Sequence, residues 1–376
     1  MHTSQERKKV TLIISNVDKA IGFEWLVEHI DRTRFDLRFI LLNDKPSYLA
    51  RHLGKAGVPV TELDFKSKGD IPGLIWKVMG ILRREKPDVV HTHLFGANLI
   101  GHIAARILGI RQRIYTRHSS NENRRYHKKQ KLDHFVNYLA THIIAISENV
   151  RNVLENEEGV PSRKIRVLHH GFDLERFASV RFEDVAKLAE RYNPGNKRPV
   201  IGVIARYSHW KGIQFVIPAF RDLLVDYPNA FLILANAKRG DYATEINDLL
   251  SELPDGSYRE IQFEYDLFAL YQLFDVYVHV PIDPELEAFG QTYVEALAAG
   301  IPSVFTLSGV APEFIEHERN ALVVDFQNAD QIYHSMRRLL EDEVLRIHLT
   351  TTGTTDVKER FSFSKMIARL EEIYAE

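Results

Sequence analysis

The chain of 376 residues contains no cysteine, which excludes disulfides and thiolate metal sites and leaves no sign of an oxidising compartment. No apolar stretch approaches the roughly 18 residues of a membrane span. The opening segment Met1-His2-Thr3-Ser4-Gln5-Glu6-Arg7-Lys8-Lys9 lacks the apolar core of a signal peptide and runs straight into strand-like sequence, so a cytoplasmic protein is expected. Internal repeats of short period and low-complexity tracts are missing too. Net charge is also scarce, only −2 overall.

What is present is the composition of a soluble globular protein, with 45 % hydrophobic and 27 % charged residues. The length exceeds one ordinary core and predicts two domains. The small net charge hides an asymmetry. Residues 1–180 hold 30 Lys+Arg against 20 Asp+Glu, while the remainder carries 19 against 31. A basic half beside an acidic half suggests domains with different partners. The sharpest basic patch is Arg124-Arg125-Tyr126-His127-Lys128-Lys129-Gln130-Lys131, with Arg111, Arg113 and Arg117 just before it.

Strand-like runs alternate with helical patterns almost throughout. Val10–Ser15, Asp36–Leu42, Val60–Leu63, Asp88–Thr92, Gln112–Thr116, His142–Ile146 and Ile165–Leu168 read as strands. Helical spacing over Gly22–Ile30, Pro72–Glu85, Ala97–Leu108 and Glu148–Glu155 separates them. A second series covers Val200–Ala205, Ala230–Ala235, Ile261–Phe263, Val276–Val280, Ser303–Thr306 and Ala321–Val324. This rhythm predicts βαβ units, hence an α/β protein of two doubly wound parallel sheets facing a central cleft. The charged stretch 181–198, ending in Asn193-Pro194-Gly195, reads as the interdomain linker between a 1–180 domain and a 199–359 domain.

The most informative segment is Pro284-Glu285-Leu286-Glu287-Ala288-Phe289-Gly290-Gln291-Thr292-Tyr293-Val294-Glu295. It follows a strand and turns through Gly290 into a helical pattern, which aims unsatisfied helix N–H groups at an anion beyond the strand's end. Glu287 stands before that anion site, and Glu295 lies about two helical turns further on. One carboxylate could hold sugar hydroxyls and the other ribose hydroxyls, with a diphosphate between them. Arg206 and Lys211, in Ala205-Arg206-Tyr207-Ser208-His209-Trp210-Lys211-Gly212, follow the first strand of the second series. Two cations there can neutralise a departing diphosphate.

These pieces, with Asp88-Val89-Val90-His91-Thr92-His93, Tyr115-Thr116-Arg117-His118, Ala145-Ile146-Ser147-Glu148, His170-Gly171-Phe172-Asp173 and the ending Glu359-Arg360-Phe361-Ser362, resemble the GT-B glycosyltransferases of family GT4 (glycosyl transferases group 1). The resemblance covers nearly the whole chain and implies two Rossmann-like domains, the first completed by residues 360–376 as a C-terminal helix that crosses back. It implies a retaining transferase using a nucleotide-diphosphate sugar donor and a hydroxyl acceptor, such as a glycan or lipid-linked acceptor. Arg206 and Lys211 would grip the donor phosphates, and Glu287 would contact the transferred sugar. Backbone N–H groups around Ala288, Phe289 and Gly290 would meet sugar and phosphate, Glu295 would hold the ribose, and His118 would line the reaction centre. On the acceptor side stand Gly22, His93, Arg117, Arg124 and Arg125. The Arg124–Lys131 patch reads either as a dock for an anionic acceptor or the inner membrane surface, or as a solvated helix face. Nucleic acid is disfavoured, because the patch lacks an interleaved aromatic platform.

His91 and His93 share one face of a strand without a third ligand in view, so a packing or cleft-lining role is expected rather than a metal site. No Asp-x-Asp occurs, so neither a metal nor another cofactor is expected. Three loops depart from the family pattern. Gly22 stands alone where relatives show a Gly-Gly pair, Ala235-Asn236-Ala237-Lys238-Arg239-Gly240 replaces a Gly-x-Gly turn, and Gly309 is one glycine where two are usual. A nucleotide-sugar epimerase or phosphorylase of the same fold, and an inactive scaffold, remain as alternatives. Cell-envelope polysaccharide or glycolipid assembly is the preferred context.

Overall fold

Short Val-, Ile- and Leu-rich runs form the strands, and both faces of each sheet are covered by helices, as parallel pairing requires. The computed structural model describes residues 7–120, 127–238 and 240–376. Its contacts separate two units. One comprises the residues up to Gly171 with Phe363–Glu376, the other Phe172–Ser362.

In the first unit, β1 (Lys8–Ser15), β2 (Phe35–Asn43), β3 (Val60–Asp64), β4 (Val89–His93), β5 (Gln112–Arg117), β6 (His142–Ala145) and β7 (Ile165–Val167) pair in the order β3-β2-β1-β4-β5-β6-β7, all parallel. Alternate residues of β1 feed opposite cores. Val10, Leu12 and Ile14 pack on one face, while Ile13 joins Ile40, Leu42 and Val90 on the other. The helix Phe363–Ala375 buries Phe363, Ile367, Leu370, Ile373 and Tyr374 in the first of these cores. Fully burying one such side chain contributes roughly 2 kcal/mol, which makes this returning helix part of the unit.

In the second unit, β8 (Val200–Ile204), β9 (Phe231–Ala235), β10 (Tyr258–Ile261), β11 (Val276–His279), β12 (Ser303–Phe305) and β13 (Leu322–Val323) pair in the order β10-β9-β8-β11-β12-β13, again parallel. Strand order reverses between β1 and β4 in one sheet and between β8 and β11 in the other. Doubly wound sheets bind ligands beyond the carboxyl ends of the strands at such a reversal.

Two expectations need correction. Residues 181–198 are not a bare linker: they hold the helix Phe182–Tyr192, whose Leu188 and Tyr192, one turn apart, are buried. The chain passes between units at Gly171/Phe172 and Ser362/Phe363. The strand expected at Ile261–Phe263 lies at Tyr258–Ile261, on the sheet edge, where one flank faces solvent and polar residues are tolerated.

Candidate functional site

At the reversal in the second unit, β8 runs into Ala205-Arg206-Tyr207-Ser208 and a tight turn at His209–Lys211. Gly212 follows with φ +76°, and a Cβ on it would lie 1.8 Å from the carbonyl oxygen of Val280. Only glycine lets the loop after β8 lie against the loop after β11. Beyond β11 the chain passes Glu287 and enters the helix Gln291–Ala298 through Gly290, φ +85°, where a Cβ would meet the Tyr293 ring at 2.5 Å. Among the described residues no side chain caps this helix; the Tyr293 N–H donates to the Gly290 carbonyl at 3.0 Å, and the N–H groups of Gln291 and Thr292, which open the helix, offer an anion site.

These two glycines bring Lys211 and Glu287 together. Lys211 Nζ donates to Glu287 Oε2 at 2.6 Å, and His279 Nε2 lies 3.5 Å from the same oxygen. Glu287 is 8 % exposed. Burial alone would push its carboxyl up, but the Lys211 ammonium and the His279 ring outweigh that and hold it at about 2. The same burial lowers His279, with Glu287 opposing. Glu287 is therefore an ionised hydrogen-bond acceptor at neutral pH, and His279 is a neutral imidazole.

The loop carrying Glu287 is laced to the loop after β12. The N–H of Glu287 donates to Ser308 Oγ at 3.3 Å, Ser308 Oγ donates to the Asp283 carbonyl at 2.7 Å, and the N–H of Val310 donates to the Phe289 carbonyl at 2.9 Å. The single glycine there, Gly309, has φ +64°, and a Cβ would meet the Phe289 carbonyl at 2.7 Å. The Phe289 side chain is buried in apolar packing beside Phe172 and Phe361, so only its backbone and those of Ala288 and Gly290 can serve a ligand. Glu295 accepts a hydrogen bond from Tyr271 Oη at 2.9 Å; burial raises its carboxyl, and that hydrogen bond opposes the rise. Arg206 is exposed, and among the described residues no ion pair engages it. In the altered Gly-x-Gly loop, Asn236 and Lys238 themselves take positive φ, +59° and +63°. Lys238 Nζ lies 3.2 Å from Glu260, which also accepts from Tyr207 Oη at 2.8 Å.

In the first unit the histidines gather beyond β4 and β5. His93 Nδ1 lies 3.1 Å from His118 Nε2, and the His118 ring stacks on His170 at 5.8 Å. His91 bonds Tyr374 Oη at 2.7 Å and Thr116 Oγ1 at 2.9 Å, which pins the returning helix to the sheet. Burial holds His118 at about 4 and both His91 and His170 at about 3. Gly22 lies in the first turn of the helix Ile21–His29 with open space around it. Arg117 departs from the acceptor-side expectation. It is buried, with Asp133 at 3.4 Å and Glu158 at 2.7 Å, so its charge is neutralised inside the unit. Arg124 and Arg125 lie outside the described residues. Among the described residues no group of three or more His, Cys, Asp or Glu is arranged to hold a metal ion, and no helix is long and apolar enough to cross a membrane.

Sequence reasoning missed His279, Tyr271 and Tyr374. A histidine flanked by valines on a strand was the available signal for His279. The tyrosines gave none, because their partners lie far along the chain.

Residues 24–176 match the Glycosyltransferase Family 4 model and residues 184–356 the Glycosyl transferases group 1 model. Among curated proteins, an uncharacterized glycosyltransferase of Methanocaldococcus jannaschii is 28 % identical, over 79 % of this chain and 77 % of its own. The capsular polysaccharide biosynthesis glycosyltransferase CapM of Staphylococcus aureus is 26 % identical, over 81 % and 80 %. Among solved structures, Anabaena Alr3699/HepE in complex with UDP-glucose superposes with a TM-score of 0.81 over 97 % of this chain and 99 % of that one, at 21 % identity. This last likeness shows a shared GT-B fold.

Proposed function

The chain belongs to glycosyltransferase family 4 and is a nucleotide-sugar-dependent transferase; from that premise we propose that it works with retention and without a metal ion. The observation that carries the reading is the Lys211–Glu287 pair beside the uncapped helix at the β8/β11 reversal. Arg206, Lys211 and the helix N–H groups take the donor diphosphate. Glu287, ionised, accepts hydrogen bonds from the sugar, and Glu295, steadied by Tyr271, takes the ribose hydroxyls.

In the reaction the bond from the anomeric carbon to the diphosphate oxygen breaks, and a bond to the acceptor oxygen forms on the same face. The departing diphosphate takes the acceptor's proton. Developing negative charge on the leaving group is the quantity to stabilise, and a single preorganised donor there is worth on the order of 3 kcal/mol. Glu287, ionised, has no proton to give as an acid, and because the departing diphosphate takes the acceptor's proton, neither glutamate is assigned as general base.

The acceptor we assign is a glycan or lipid-linked hydroxyl of cell-envelope assembly, at the cytoplasmic face of the membrane. The CapM likeness and the basic first 180 residues support this context. The test presents UDP-, GDP-, ADP- and dTDP-sugars with a lipid-linked diphosphate sugar, with and without EDTA, and reads diphosphate release and the anomeric proton by NMR. Acceptor-dependent release, unchanged by EDTA and with the donor's anomeric configuration kept, is expected. An inverted product or EDTA-sensitive turnover would overturn the mechanism. Donor consumption that ignores the acceptor would point to an epimerase or hydrolase.

A further inference from the structure

His279 has no assigned task, yet it occupies the most constrained corner of the site. It is the last residue of β11, with valines at positions 276, 278 and 280. Its ring is 1 % exposed, and among the described residues neither ring nitrogen has a hydrogen-bond partner of ordinary geometry. Buried polar groups are overwhelmingly satisfied, so an unsatisfied one calls for an explanation. The groups facing the ring are few. Tyr293 packs edge-on at 4.6 Å, but its hydroxyl is committed to the Thr306 carbonyl at 2.9 Å. The charged neighbours are Glu287 and Lys211, and Nε2 points at the oxygen that Lys211 already holds.

That shared oxygen suggests a division of labour. Lys211 sits on a long side chain lying over the Trp210 ring at 4.2 Å, and it has two anionic claimants once a diphosphate arrives. His279 cannot move in the same way. Its strand is in register with β12, Tyr277 to Ser303 and His279 to Phe305, and its carbonyl accepts from the N–H of Thr306 at 3.3 Å. We propose that His279 is a positioning residue: its Nε2–H anchors the Glu287 carboxylate when the Lys211 ammonium turns to the donor diphosphate. The 3.5 Å separation lies at the outer limit of a hydrogen bond, and the proposed anchoring requires Nε2–H and the carboxylate to close on each other when Lys211 turns away. Burial, which keeps the imidazole neutral, leaves one ring proton, and the carboxylate draws it to Nε2. The inference rests on the reading of Glu287 as the sugar contact.

The test compares H279Q, whose amide nitrogen reaches the place of Nε2, with H279N, whose amide reaches only that of Nδ1. Both are buried amides, so a purely structural role would affect them alike. Steady-state kinetics use UDP-glucose, or GDP-mannose where the wild type turns over that donor instead, with E287Q alongside. H279N is expected to lower kcat by on the order of tenfold or more with donor KM changed less than about threefold, as misplacement of a positioned group does. H279Q should stay within about threefold of wild type, and H279N/E287Q should be no slower than E287Q alone, because coupled residues are not additive. Equal behaviour of H279N and H279Q, whether both active or both impaired, overturns the proposal. Wild-type turnover by E287Q would instead overturn the role of Glu287 itself. Loss in E287Q with H279N at full speed would sink only the anchoring by His279.

Discussion

Replacing Lys211 by Met leaves the Glu287 carboxylate buried without its principal countercharge. Glu287 is held at about 2 in the folded chain against an ordinary 4.5. The sign follows: the unfolded chain binds this proton first as pH falls. The pair's stabilisation is therefore full above 4.5 and lost as pH drops through 4.5 towards 2. That difference corresponds to about 3 kcal/mol, in line with the roughly 3–5 kcal/mol lost when one partner of a buried pair is removed. K211M should thus destabilise the second unit by about 3 kcal/mol at pH 7. Adding E287Q to K211M should recover most of it, since no buried charge then remains. Trp210 adjoins the site, so urea unfolding followed by its fluorescence, with Trp25 and Trp76 changed to Phe, reads this unit. A loss below about 1 kcal/mol, or a double variant as unstable as K211M alone, would refute the reasoning.

Other consequences are as direct. R206A should leave the unfolding midpoint unchanged, because the side chain is exposed without an ion pair among the described residues, yet lower donor turnover roughly a hundredfold; kinetics and a melt check both halves. In G290A the positive φ and the Tyr293 ring 2.5 Å from the new Cβ should cost at least about 1–3 kcal/mol and abolish donor binding, as urea unfolding and titration with UDP-glucose would show. His91, His102, His118 and His170 titrate in the folded chain at about 3, 4, 4 and 3. The unfolded chain takes up these protons near 6.5, so the first unit's stability is full above that value and is lost as pH falls. The expected loss is about 1 kcal/mol per group between pH 7 and 5.5, and a flat stability profile over that range would contradict the burial argument.

Much of this was legible in the sequence because parallel strands buried on both faces are written as apolar runs. β8 and β9 are such runs. The edge strand Tyr258–Ile261 was misplaced because solvent on one flank permits Arg259 and Glu260. The helix Phe182–Tyr192 was hidden by its charged residues, since only Leu188 and Tyr192 turn inward. The site was legible where one local segment encodes it, as Gly290 and the helix after it do. It was not legible where distant segments meet. Lys211 and Glu287 are far apart in sequence, and nothing local marks His279 as sharing their oxygen. Arg117 misled for the same reason, because the carboxylates that neutralise it, Asp133 and Glu158, come from other elements.

The central claim, that the second unit holds a nucleotide-sugar donor, is tested most directly by thermal unfolding with UDP, GDP, ADP, dTDP and CMP in turn, against Glu295→Ala. A nucleotide at a hundred times its dissociation constant adds about 2.7 kcal/mol. The account predicts that one diphosphate raises the midpoint and that E295A diminishes the rise. No shift with any of the five, or an undiminished shift in E295A, would contradict it.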